Sequence, residues 1–140
     1  MPPVTRWSVK LSLVYFLAAL LVGVAQTAQQ PLGLPPALAV LGPVYVHLLV
    51  VGWITQMIFG VAYWMFPRFS KDTPRGSNAL AVAAFALLNG GLLLRVVAEP
   101  IHSLHPGDGW GWVLVVSAVA QWLAAVAFTL NTWPRVKEKP

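Results

Sequence analysis

The chain has 140 residues, 58% of them hydrophobic and 9% charged, with a net charge of +5. Soluble domains average about 25% charged residues, so an ordinary soluble domain is excluded. With no cysteine in the sequence, disulfides, thiolate metal sites and thiol catalysis are excluded as well.

The charges are clustered and leave four long apolar runs, which predict helices over about 9–26, 37–66, 77–98 and 110–132. Each run is long enough to cross a hydrocarbon core of roughly 30 Å at about 1.5 Å per residue. Without water to satisfy the backbone, only a helix or a closed barrel spans a membrane, and runs without alternation favour the helix. The expectation is all-α: an integral membrane four-helix bundle in one domain, set in a lipid bilayer. The first run follows Arg6 and Lys10 and ends near Gly23-Val24-Ala25, the outline of a secretory signal. We read it as a retained span.

Arg6 and Lys10 precede the first run, Arg68, Lys71 and Arg75 follow the second, and Arg135, Lys137 and Lys139 follow the fourth. These segments hold eight of the nine basic residues, whereas 27–36 and 99–109 hold no Lys or Arg. By the positive-inside rule both termini face the cytoplasm. Topology therefore accounts for the basic charge, and no nucleic-acid partner is expected. Trp7, Trp64, Trp110, Trp112 and Trp133 fall near helix ends, where aromatic rings settle at the interface.

The second run contains His47, preceded by Gly42-Pro43 near the start of the run. An ionisable side chain inside a span marks a functional site by default, and imidazole is the commonest metal ligand. At about 100° per residue His47 shares a face with Val51, Ile54, Ile58, Val61 and Met65, fit for a flat apolar ligand. The opposite face carries Gly52, Gln56 and Gly60, spaced for close helix packing with an amide bond across the contact.

The third run places Arg95 near its outer end with Glu99 one turn on. An interfacial ion pair worth little is one reading. The other sets Arg95 at the level of His47, where its guanidinium would hold cofactor carboxylates. His102 and His105, flanked by Glu99 and Asp108, read first as solvated loop histidines; they are also ligand types for Zn or Cu, or a second ligand beside His47. Pro100 and Pro106 oppose a regular helix that would put both histidines on one side. Asn89, Ser117, Gln121 and Asn131 read as interhelical hydrogen-bonding groups. No carboxylate is expected inside a span, which argues against a proton-coupled pump.

The segment from His47 through Gly52, Gln56, Gly60 and Trp64 to Pro67-Arg68 resembles the second helix of subunit I of the haem-copper oxidase and nitric oxide reductase family. That helix carries a histidine near its outer end, small residues midway and a proline at its inner end, and it runs inward. The resemblance implies that His47 is an axial ligand of a b-type haem in a bacterial or archaeal cytoplasmic membrane. Arg95 is an analogue of the family's propionate-binding arginines and not a motif match. The chain supplies one arc of helices, and the helices bearing the family's other haem and copper ligands have no counterpart. A complete catalytic site in one chain is therefore not expected. The expectation is electron transfer, or haem or gas handling, with a respiratory-chain redox partner. His47 of a second copy would complete the iron in a homodimer, with a trimer as the alternative. The other function is that of an accessory or assembly subunit of a respiratory complex, with no cofactor of its own.

Overall fold

Prolines set the first helix. In the computed structural model, which describes residues 1–136, Pro2 is extended and Pro3 opens α1 (Pro3–Ala28). A proline in the first turn sacrifices only a backbone N–H that no helix satisfies. The start at Pro3 rather than about residue 9 brings Thr5 and Ser8 into α1, where with Ser12, Tyr15 and Ala19 they form its buried stripe. These small polar residues are the packing face of α1.

The second span, α2 (Pro36–Met65), lies antiparallel to α1. Its opening turns are 3₁₀ over Pro36–Leu41, and α-helical geometry begins at Gly42. A methyl group on Gly52 would sit 2.8 Å from Tyr15 Cβ and 2.9 Å from Leu92, and one on Gly60 would sit 2.7 Å from Ser8 Cβ. Gln56 between them is buried and donates to the Ser8 carbonyl at 3.4 Å. The Gly52, Gln56 and Gly60 face is thus the α1 contact, with backbones drawn together by absent side chains.

The third helix, α3 (Asn78–Leu104), starts at Ser77, whose hydroxyl accepts from Leu80 N–H. This N-cap satisfies an orphan donor of the first turn. The helix does not stop near residue 98 as the sequence suggested but runs through Pro100 to Leu104. Proline removes one rung of the ladder, and the helix continues past the gap. Glu99 therefore lies inside a helix long and apolar enough to cross a membrane, and not beyond it. Gly107 and Gly109, at φ of 106° and 77°, make the turn that L side chains resist, and α4 (Trp110–Thr132) returns against α3. Gly91 gives that pair its close approach, with a methyl there falling 2.9 Å from the Ser117 carbonyl.

The packing order is α1–α2–α3–α4, and the backbones of α1 and α4 do not meet among the described residues. The bundle is open. All four helices are long and apolar enough to cross a membrane, and large apolar side chains such as Leu17, Leu21, Val24 and Trp122 stand exposed. That surface suits contact with lipid and exceeds what soluble monomers display.

A buried hydrogen bond ties α1 to α3: Tyr15 donates to Asn89 Oδ1 at 2.9 Å. Interhelical bonds of this kind contribute about 0.6–1.7 kcal/mol. Tyr15→Phe should therefore lower stability in detergent by about 1 kcal/mol, read from the thermal unfolding midpoint.

Candidate histidine and ion-pair site

His47 closes a six-residue α-helical stretch, Gly42–His47, and the next residue begins a π-helical segment, Leu48–Thr55. π-Helical turns are rare and concentrate at functional sites. The segment also explains a departure from the expected face. Hydrogen bonds that step five residues rotate the helix away from α-helical register. Val51 therefore packs against the core of Tyr15, Ala19, Val44, Leu48 and Leu92, whereas Ile54 and Ile58 turn outward at 42% and 55% exposure. The continuous face of Val51, Ile54 and Ile58 beneath His47 is split. Val46, Val50 and Ile54 are the exposed apolar side chains of the same stretch of α2.

The imidazole is oriented by its own helix. His47 Nδ1 lies 2.8 Å from the Pro43 carbonyl oxygen. A carbonyl only accepts, so Nδ1 carries the hydrogen, and in the neutral ring Nε2 holds the lone pair. Nε2 has no polar partner among the described residues. The side chain is 26% exposed, so that lone pair belongs to a half-open site.

Behind the ring stands Glu99. One carboxylate oxygen is 3.7 Å from His47 Nδ1 and the other accepts from Arg95 Nη1 at 3.1 Å. The oxygen nearer His47 is buried and accepts no hydrogen bond among the described residues. Arg95 Nε donates to Ser117 Oγ at 3.4 Å, and Ser117 Oγ in turn donates to the Gly91 carbonyl at 2.6 Å. Gln121 Nε2 donates to the same Ser117 oxygen at 3.3 Å. The ion pair therefore belongs to a network that joins α2, α3 and α4, where a charge pair is screened less than at a surface.

The structure brings His47, Glu99 and Arg95 together and leaves the other two histidines apart. His102 sits in the last turns of α3, beside Gly111, with Nδ1 buried and unpartnered. His105 lies just past the helix end and is exposed. Among the described residues no three His, Asp or Glu side chains form a metal-binding group, so neither histidine joins His47 and Glu99 in a ligand cage. A separate Zn or Cu site in this segment has no such support.

The sequence reading missed Glu99 as the group facing His47. The pairing links α2 to α3 and leaves no local spacing to find. It also missed Arg135, which was read as a topological charge. Arg135 is fully buried and donates to the carbonyls of Pro67, Tyr63 and Phe66 at 3.0, 3.0 and 2.7 Å. Lys137 and Lys139 of the same basic tail lie outside the described residues.

The residues at His47 fit an axial haem ligand in three respects. The tautomer is set by a second partner on Nδ1, as metal-bound histidines require. A carboxylate stands behind the ring, and exposed apolar side chains lie on the same helix. The cavity lined by Ser8, Gln56, Phe59 and Phe128 is about 20 Å³, room for one water. No protein-family model, curated protein or solved structure matches the chain.

Proposed function

We propose that the chain is a multi-pass protein of a bacterial or archaeal cytoplasmic membrane, with both termini in the cytoplasm, that holds a b-type haem through His47. Its role on this reading is electron transfer, or the handling of haem or a gas. One observation carries the proposal: the Pro43 carbonyl fixes the hydrogen on Nδ1 and leaves Nε2 free for iron. Bound haem would supply a one-electron iron couple. His47 would ligate it, Glu99 would raise the basicity of the imidazole from behind, and Val46, Val50 and Ile54 would flank it. Arg95 keeps guanidinium hydrogens beyond those given to Glu99 and Ser117 for the haem carboxylates.

The flank is an outer surface, so one chain encloses half a site. A second copy across a two-fold axis supplies the other half and a second His47, with a trimer as the alternative. A respiratory-chain protein would exchange electrons with it.

The network itself favours a second reading. Glu99 and Arg95 link His47 to Ser117 across three helices, which suits an accessory or assembly subunit whose histidine serves only packing. The visible spectrum of protein purified from haem-replete cells separates the two. A Soret band is expected, and colourless protein sinks the haem reading. In the six-coordinate dimer, carbon monoxide should leave the reduced spectrum unchanged.

A further inference from the structure

At the opposite end of α2, the helix runs into a loop that presents Arg68, Lys71 and Arg75. These three cations and the apolar end of the helix, Trp64, Met65 and Phe66, line an open pocket of about 560 Å³. Small-molecule sites have volumes of about 300–1,000 Å³. Among the described residues none of the three cations pairs with a carboxylate, although Asp72 lies in the same loop. Arg75 Nε is buried and lacks an acceptor. A positive-inside charge needs no pocket and no buried donor, so topology alone does not account for this arrangement.

The loop is built and held. Arg135 grips the Phe66 and Pro67 carbonyls from behind, Phe69 N–H donates to the Pro74 carbonyl at 3.0 Å, and Ser70 and Thr73 hydroxyls meet at 2.8 Å. Asn131 of α4 accepts from Ser77 N–H at 2.8 Å and fixes the loop's far end. The cations are therefore presented on a braced backbone, which lowers the ordering cost of binding.

We propose that this pocket binds the phosphate headgroup of an anionic phospholipid of the inner leaflet. The ligand must be acidic, because the three cations lack counterions. It must also be amphipathic, because half of the wall is the last turn of a membrane-capable helix. A phosphodiester headgroup satisfies the loop while its acyl chains lie along the exposed Ile58 and Met65 of the same helix. Basic pockets on the cytoplasmic side recognise such headgroups. The inference rests on the membrane reading and not on haem.

Native mass spectrometry of the detergent-solubilised full chain, titrated with phosphatidylglycerol or phosphatidylcholine, tests it. Phosphatidylglycerol should bind in preference. Arg68→Gln with Lys71→Gln, both exposed positions, should weaken it about fivefold for each cation removed, and Arg75→Gln should weaken it further. Arg6→Gln with Lys10→Gln removes the same charge from the start of α1 and should leave the affinity near wild type. Equal weakening by both pairs would show a diffuse field and overturn the pocket. Inorganic phosphate at millimolar concentration should not displace the lipid; displacement, with no preference for phosphatidylglycerol, would make this a free-phosphate site and overturn the lipid assignment. A chain that stays soluble without detergent would instead sink the membrane reading itself.

Discussion

If His47 ligates haem as proposed, the His47→Ala protein should lose the Soret band expected of the wild type, and it should still be folded. Loss of colour follows from the geometry: Nε2 of His47 is the imidazole lone pair left free beside the π-helical segment. Retention of the fold follows from the small role of the ring in packing. Alanine removes the hydrogen bond to the Pro43 carbonyl and the contact with Glu99, a loss of about 1 kcal/mol, with a half-open side chain above it. The unfolding midpoint should therefore move little while absorbance vanishes. Glu99→Gln separates ligation from tuning. It should keep the Soret band and raise the reduction potential, because a carboxylate behind the imidazole favours ferric iron and the amide does not. A Soret band that survives in His47→Ala would place the iron elsewhere and end the proposal.

The number and type of elements were legible because each apolar run is uninterrupted and each break is marked by charge or by glycine. The Gly52, Gln56 and Gly60 face was legible because two glycines flanking an amide mark a close helix contact, and that contact with α1 is made even though Gly52 lies in the π segment. The face below His47 was not. Its reading assumed α-helical register, and the π segment that rotates it packs Gly52 against Tyr15 and Leu92, residues from two other helices that no local spacing reveals. The same limit hid Glu99. Its i, i+4 relation to Arg95 is written in the sequence, but its approach to His47 depends on how α3 lies against α2. Pro100 misled in the opposite direction, since a local rule for ending helices gave way to a helix held along its length by α4.

That limit is plainest at Arg135, whose replacement should have the largest effect on stability. A helix ends with carbonyls that lack donors, and this one guanidinium meets that of Tyr63 in α2 and those of Phe66 and Pro67 just beyond it. The cation is fully buried, faces no carboxylate among the described residues, and lies 5.8 Å over the Tyr63 ring. Charge at a helix C-terminus favours this placement, and the planar fork reaches several acceptors at once. Hydrogen bonds to charged donors are each worth about 1.5–3 kcal/mol, and orphaned buried acceptors add their desolvation. Such losses do not add in full, so Arg135→Leu should cost about 3–5 kcal/mol, measured by thermal or chemical unfolding in detergent. Arg135→Lys keeps the charge but replaces the fork with a compact ammonium, and should fall between the two. The lysine variant also separates charge from shape at the basic pocket. With the loop's carbonyls less firmly held, phosphatidylglycerol should bind it more weakly although the net charge is unchanged. A lysine variant as stable as wild type would mean that charge alone, without the guanidinium's geometry, holds the end of α2.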